Sequence, residues 1–112
     1  SICASAGKDG KVFIWDLSTG LESFHIDVDD EVTDVAFSPA SYTLAIATTK
    51  NIILYDLDKK EKMAVVAPEF PPRSKKATIP SCTCLAWSMD GANLFTGYTD
   101  DVVRVWEVKT VM

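Results

Sequence analysis

The chain repeats itself, and this repeat limits the possible folds more than any other feature of the sequence. The segment SAGKDGKVFIWD (5–16) superimposes without gaps on TGYTDDVVRVWE (96–107), tryptophan upon tryptophan. Between them, IATTKNIILYDLDKK (46–60) fits with one residue deleted and has Tyr55 at the tryptophan position. Self-similarity of this kind indicates a fold assembled from equivalent units of supersecondary structure.

A second shared element precedes the later two copies. EVTDVAFSPASYTLA (31–45) matches SCTCLAWSMDGANLF (81–95), with Phe37 aligned to Trp87. Trp87 lies 50 residues after Phe37, whereas Tyr55 lies 40 residues after Trp15. The longer step indicates an insertion around residues 61–80.

Ten β-strands are predicted from runs of β-branched and aromatic residues bounded by turn residues. They are Ile2–Ala6, Lys11–Leu17, Glu22–Ile26, Val32–Ser38, Tyr42–Thr48, Asn51–Leu57, Lys62–Ala67, Cys82–Ser88, Asn93–Tyr98 and Val102–Val108. Apolar residues occupy both sides of these strands, whereas a half-buried sheet would alternate. The last run is predicted to be a complete buried strand, and no helical periodicity is present.

Composition and charge narrow the class of protein. The 112 residues fit one small domain. A formal net charge of −5 argues against non-specific binding to nucleic acids. No apolar run approaches the roughly 18 residues of a membrane span, and no signal peptide is visible. Three cysteines without a secretory signal favour reduced thiols in the cytosol. The start at Ser1, without a methionine, suggests a segment of a longer protein.

The repeats resemble the WD-repeat family, named for a Trp-Asp pair that is kept here as Trp15-Asp16 and changed to Tyr55-Asp56 and Trp106-Glu107. Repeats of that family are about 40–45 residues long, and each supplies a four-stranded blade of a β-propeller. The segments CTCLAWSMDGANLFTGYTDDVVRVWEV and AGKDGKVFIWDL are similar to the final repeats of the receptors for activated C kinase, a family of G-protein β-subunit-like scaffolds.

The resemblance implies an all-β fold, a partial propeller of about two and a half four-stranded antiparallel blades out of seven. Residues 1–30 would end one blade, 31–67 would form a blade with the degenerate Tyr-Asp pair, and 82–112 would be a last repeat lacking its outer strand. In closed propellers of the family, that outer strand comes from the protein's N-terminus. Residues 68–81 would form a proline-rich basic loop.

The resemblance also implies a function without catalysis or cofactors. Members of the family sit on the small ribosomal subunit near the mRNA exit and dock signalling kinases such as protein kinase C, so a cytoplasmic scaffold is expected. Segments matching residues 31–38 and 51–57 are implicated in kinase anchoring, and Tyr42 occupies a position that the family can use for tyrosine phosphorylation. The alternative is a WD-repeat adaptor of an unrelated complex, such as a G-protein β-like subunit or a ubiquitin-ligase substrate receptor.

Six residues match a buried network that supports WD blades. Ser5, Asp9 and Trp15 occupy its positions in the first copy, and Thr96, Asp100 and Trp106 occupy them in the last. We expect each tryptophan to hydrogen-bond its Ser or Thr, and each aspartate to lie in a tight turn, at Lys8–Lys11 and Asp100–Val102. The middle copy has Ile46 and no aspartate, so its network is lost.

Other candidate chemistry has simpler explanations. His25 lies in an outer strand without a nucleophile in a matching motif, so it does not indicate catalysis. The run DVDDE (27–31) lacks the spacing of a calcium loop and is expected to be a solvated acidic loop. Cys82 and Cys84 are expected to share one face of a buried strand, and no second cysteine pair completes a zinc site.

The insertion carries the strongest candidate for binding a partner. Its prolines exclude a central strand, so Arg73, Lys75 and Lys76 are expected to lie in an exposed loop. These cations could contact RNA phosphates or an acidic peptide. The alternative is a solvated loop without a partner.

The open edge of the predicted last strand generates a testable expectation. Two and a half blades leave an apolar face at each end, and burial of such faces contributes about 25 cal/mol per Å², while an unpaired edge attracts another strand. We therefore predict that the isolated 12.3 kDa chain self-associates. Light scattering across a dilution series tests this, and a well-dispersed monomer at tens of micromolar would contradict it.

Overall fold

A computed structural model of the protein describes residues 1–69 and 79–111, in which antiparallel strands make up nearly all of the regular structure. The strands are β1 Ile2–Ala6, β2 Lys11–Asp16, β3 Leu21–Asp27, β4 Val32–Phe37, β5 Thr43–Thr48, β6 Ile52–Asp56, β7 Glu61–Val66, β8 Cys82–Trp87, β9 Asn93–Tyr98 and β10 Val103–Glu107, followed by one helical turn, α1 Val108–Val111. Every strand end lies within one residue of its predicted position.

The strands form three sheets, each a simple up-and-down meander. Sheet 1 has the order β1-β2-β3, sheet 2 the order β4-β5-β6-β7, and sheet 3 the order β10-β9-β8. The prediction of an all-β chain made of blade-like antiparallel sheets is thereby confirmed.

The three sheets have β-bulges at matching positions. A β-bulge interrupts sheet 1 between Ile14 and Trp15, and sheet 2 has one between Leu54 and Tyr55. Further bulges lie at the starts of β4 and β8, where Thr33 in sheet 2 and Thr83 in sheet 3 are skipped in the pairing. Each bulge changes the direction in which the following side chain points, and the matching positions of the bulges show that the copies repeat their backbone course.

Sheet 2 lies between the other two sheets and is buried on both faces. Along β5, Leu44 and Ile46 pack against sheet 1 residues, whereas Ala45 and Ala47 pack against sheet 3 residues. All four side chains are completely buried. Successive residues of a strand point to opposite faces, which explains why this strand has no polar side.

The last strand differs from its prediction as a complete buried strand. The side chains of Val103 and Val105 are 64% and 56% exposed, while Arg104 and Trp106 between them are half-buried. Only one face of β10 packs against sheet 2, so its other face meets solvent in this chain. The apolar run also ends in a helical turn, Val108–Val111, that the sequence pattern did not indicate.

The turn predicted at Lys8–Lys11 brings sheet 1 against the segment that leads into sheet 2. Gly10 has φ +77°, and a Cβ placed on it would lie 2.2 Å from the carbonyl oxygen of Val28. The amide of Val28 donates to the carbonyl of Gly10 at 2.8 Å, and the amide of Val32 donates to that of Gly7 at 3.3 Å. Glycine is therefore required at position 10 both for backbone conformation and for space.

Two glycine substitutions separate these requirements. Gly20 has φ +72° with nothing within 4 Å of its added Cβ, so Gly20→Ala is expected to cost only the strain of a left-handed alanine, about 1 kcal/mol. Gly10→Ala adds a steric overlap and should lose about 1–3 kcal/mol more. Urea unfolding of both variants measures the difference, and equal losses would show that the close approach at Gly10 contributes nothing.

Candidate functional site

The two predicted tryptophan hydrogen bonds are present. Trp15 Nε1 donates to Ser5 Oγ at 2.9 Å, and Trp106 Nε1 donates to Thr96 Oγ1 at 2.9 Å. Thr96 is completely buried, and its hydroxyl donates in turn to the carbonyl of Arg104 at 3.0 Å. Ser5 lies on an exposed part of sheet 1. Both tryptophans are half-buried, so the two pairs differ in the burial of the hydroxyl that accepts the indole N–H.

The matching aspartates form turns of their own instead of extending these pairs. Asp9 Oδ1 accepts the amide of Lys11 at 3.1 Å, and Asp100 Oδ1 accepts that of Val102 at 3.1 Å. Both turns lie where they were predicted. The expected single network of Ser or Thr, Asp and Trp thus divides into a tryptophan pair and a separate turn.

Asp100 also forms an ion pair with Arg104, 3.0 Å between Oδ2 and Nη2. The guanidinium lies over the ring of Tyr98 at 4.5 Å, a favourable position for a cation. Hydrogen bonds from Arg104 lower the pKa of the Asp100 carboxyl. Since the folded-state pKa is depressed, the contribution of this pair is complete above the ordinary carboxyl pKa and is lost as pH falls through the lowered value.

A second pair of aspartates explains the Trp-Asp signature, and sequence reasoning had assigned it no role. Asp16 Oδ1 accepts the amide of Ser18 at 2.9 Å, and Asp56 Oδ1 accepts those of Asp58 and Lys59 at 2.9 and 3.0 Å. Each carboxylate holds the turn after its aromatic residue, a common role for aspartate. The third copy has Glu107 at this position and continues into α1 instead of a hairpin turn.

Three polar contacts join sheets 2 and 3 along β4 and β8. Thr33 Oγ1 donates to the carbonyl of Cys82 at 2.7 Å, and the amide of Leu85 donates to Asp34 Oδ2 at 2.8 Å. The third contact runs from Trp87 Nε1 to the carbonyl of Ala36 at 3.0 Å. Sequence reasoning missed all three because their partners are backbone groups about 50 residues away. The only available signal was a pair of polar residues, Thr33 and Asp34, inside an apolar run.

The acidic segment 27–31 is not wholly solvated, contrary to expectation. Thr49 Oγ1 donates to Asp30 Oδ2, and the amide of Thr49 donates to the carbonyl of Glu31 at 3.2 Å. The hydrogen bond from Thr49 lowers the pKa of the Asp30 carboxyl. The segment therefore anchors the β5–β6 turn. Within residues 1–69 and 79–111, no group of three or more His, Cys, Asp and Glu could hold a metal ion.

The histidine and the cysteines lie apart from any such cluster. His25 is about half exposed in β3, with its two ring nitrogens 3.7 Å from the carboxylates of Glu22 and Asp27. Cys82 is buried, and burial raises the pKa of its thiol to about 11. Cys84 is exposed, so the expectation that both thiols lie in the core was wrong. The bulge that skips Thr83 accounts for this, because it breaks the simple alternation along β8.

Tyr42 lines three grooves at the edge of sheet 2, two of them larger than the third. Its side chain is 72% exposed and lies in the loop between β4 and β5. One of the larger grooves, of about 380 Å³, is mainly apolar. The other, also about 380 Å³, has carboxylates and aromatic rings. The groove-lining residues are Ile2, Phe37, Pro39, Ala40 and Leu57 in the first and Asp56, Asp58, Met63, Trp87 and Val108 in the second. Concave surfaces around one exposed tyrosine are suited to contact with another protein.

The remaining candidates for partner binding, Arg73, Lys75 and Lys76, lie outside the described residues. Their contacts stay a prediction from the sequence.

Comparison with known proteins adds two findings to this geometry. Residues 74–107 match the family model described as "WD domain, G-beta repeat". The chain is 45% identical over 110 residues to the small ribosomal subunit protein RACK1 of Neurospora crassa, 46% identical to the protein of the same name in Candida albicans, and 45% identical to MST50-interacting protein 11 of Pyricularia oryzae. These alignments cover 98% of the chain.

The chain is similar to WD-repeat proteins. It spans about a third of the length of the curated relatives that it matches, 35% or 34% of each. The predicted resemblance to the receptors for activated C kinase agrees with the relatives' names. In the part of the chain that the structure describes, no helix has the length and apolar character needed to cross a membrane.

The two tryptophan pairs of the WD repeats should differ in their contribution to stability. Thr96 is completely buried, so Thr96→Val leaves the indole N–H of Trp106 and the carbonyl of Arg104 without a partner at a site closed to water on the Thr96 side, which is expected to cost about 1–3 kcal/mol. Ser5→Ala removes the same contact where water can replace the hydroxyl, so its cost should be below about 1 kcal/mol. Urea denaturation of both variants tests this, and equal losses would contradict the role of burial.

Proposed function

We propose that this protein is a non-catalytic WD-repeat scaffold of the cytoplasm that binds the small ribosomal subunit and signalling kinases of the protein kinase C type. The observation that carries the proposal is the likeness, along 98% of the chain, to two proteins named as small ribosomal subunit proteins. The name of the Pyricularia oryzae relative, an interacting protein of MST50, supports the adaptor half of the proposal. These names describe the relatives, which are about three times as long.

The arrangement of the sheets fits a scaffold. Hydrophobic cores on both sides of sheet 2 and polar contacts between β4 and β8 hold the sheets in place. The turns and loops at the strand ends are then presented on a fixed support, which is how binding residues are commonly displayed. We propose that partners contact these loops, and that Tyr42 is a site of tyrosine phosphorylation because its side chain is open to an approaching kinase.

The segments that the family resemblance linked to kinase anchoring are strands β4 and β6. Ile52 and Leu54 in β6 are completely buried, so recognition of that whole strand would require the sheet to open. We propose instead that a kinase contacts the turn residues that follow β6.

Apolar residues on the outward face of sheet 3 support the proposed self-association. Phe95, Val103 and Val105 are 39%, 64% and 56% exposed, and they lie on adjacent strands. Another WD sheet, from further repeats or from a second copy, would bury this face.

The predicted basic loop provides the test of ribosome binding. In the intact protein, replacement of Arg73, Lys75 and Lys76 by glutamate should leave folding unchanged, because a proline-rich loop contributes little buried area. Co-sedimentation with small ribosomal subunits should fall, and its salt dependence should become shallower, since each lost phosphate contact removes about 0.7–0.9 from the logarithmic slope.

The matched control carries the same charge change at Lys59, Lys62 and Lys109, which are exposed elsewhere on the chain. It should sediment with the subunits like the unchanged protein. Equal loss in both variants would indicate a non-specific effect of charge. Failure of the unchanged protein to co-sediment would contradict the ribosomal part of the proposal.

A further inference from the structure

The groove between Tyr42 and sheet 3 combines carboxylates with aromatic rings, and the proposed function assigns no ligand to that combination. We call it the acidic groove and define it by Tyr42, Asp56, Asp58, Met63, Trp87 and Val108, which line a cavity of about 380 Å³. It lies where sheets 2 and 3 meet, so both of its walls belong to this chain. Its volume is sufficient for one long side chain.

Contacts behind the lining residues fix the walls of the acidic groove. The indole of Trp87 is held by its hydrogen bond to the carbonyl of Ala36 and packs against the core between sheets 2 and 3, as do Met63 and Val108. The amide of Val108 donates to the carbonyl of Ala92 at 2.9 Å. The groove is therefore formed in advance, which reduces the ordering cost of binding.

A glycine allows the two loops beneath the groove to touch. Gly91, with φ +72°, lies so close to the loop before Tyr42 that an added Cβ would be 2.6 Å from the Cβ of Ala40. The β8–β9 turn and the β4–β5 loop are thus in direct contact. This contact closes the end of the acidic groove.

The charge around the groove is negative. Asp56 uses Oδ1 to hold its turn, which leaves Oδ2 on the same carboxylate, and Asp58 beside it is exposed. The lining includes both carboxylates and, among the described residues, no lysine or arginine. The ammonium group of Lys60 lies over the ring of Phe24 at 5.1 Å. Both residues line a neighbouring groove, which shares Tyr42 and Asp58 with the acidic groove.

Carboxylates beside aromatic faces favour one chemical class of occupant. A planar guanidinium can accept the negative charge of Asp56 and Asp58 and stack on an aromatic ring. The methylene stem of such a side chain suits the apolar surface of Met63 and Val108. We propose that the acidic groove binds an arginine side chain from an exposed segment of a partner protein. The inference holds whether or not that partner is the ribosome or a kinase.

The experiment uses the ¹⁵N-labelled chain and three small probes. N-acetyl-arginine amide should shift the Trp87 indole N–H and the amides of Tyr42 and Val108 in a saturable way. N-acetyl-citrulline amide has nearly the same shape without the charge and should bind at least severalfold more weakly. N-acetyl-leucine amide tests whether the groove is only apolar.

Two variants connect the binding to the groove. Asp58→Asn should weaken the arginine probe about two- to fivefold, the range expected when one exposed ion pair is lost. Asp29→Asn removes the same charge from an exposed residue near the opposite ends of the strands and should leave the affinity unchanged. Asp56 is left unaltered because it also holds a turn.

Four outcomes would overturn the proposal. If the citrulline probe binds with the same affinity as the arginine probe, charge plays no role in the binding. If the leucine probe binds with the same affinity as the arginine probe, the surface is a general apolar groove. Equal weakening by Asp58→Asn and Asp29→Asn would indicate attraction to the overall negative charge. The absence of saturable shifts at Trp87, Tyr42 and Val108 would show that the groove does not bind the side chain.

Discussion

The fold depends on placing one strand, β5, that has no polar face. In most sheets, polar and apolar residues alternate along each strand. A shift of the pairing register by one residue is then prevented, because it would turn the apolar residues toward solvent. Strand β5 lacks that protection, since Leu44, Ala45, Ile46 and Ala47 are all buried. In β5 the size of the side chains, and not their polarity, sets the register, because the large residues face sheet 1 and the alanines face sheet 3. A slip would force leucine and isoleucine into space shaped for alanine, and overpacking of this kind is costly.

Packing alone would leave the angle between sheets 2 and 3 loosely defined, because apolar contacts have little direction. The hydrogen bonds from Thr33, Asp34 and Trp87 supply that direction. The bulge that skips Thr33 contributes to this arrangement, since it turns a side chain of β4 toward the neighbouring sheet. The acidic groove and the position of Tyr42 follow from the same contacts, because both are created where the two sheets meet.

The strands and the two tryptophan pairs could be predicted from the sequence, because they depend on local patterns and on the alignment of copies. The contacts between sheets could not, since their acceptors and donors are backbone groups that every residue has. The turn-holding role of Asp16 and Asp56 depends on the direction of a carboxylate within a turn, and that direction is not visible in the spacing of residues. The exposed position of Cys84 and the helical turn at Val108–Val111 depend on a bulge and on the packing around sheet 3. For the proposed partner-binding surface, the sequence suggested Tyr42, whereas the groove beside it joins residues from Asp56 to Val108 that only the fold brings together.

The use of backbone groups between sheets affects how far the copies can diverge. The tryptophan pair requires two particular side chains, and the middle copy, with Ile46 and Tyr55, has lost both members together. The contacts across β4 and β8 require a particular side chain on only one side. Their partners are the carbonyls of Cys82 and Ala36 and the amide of Leu85, so the side chains at these positions can change without breaking the bond. An array connected in this way can accumulate substitutions in one copy at a time, and neighbouring copies need not change in step.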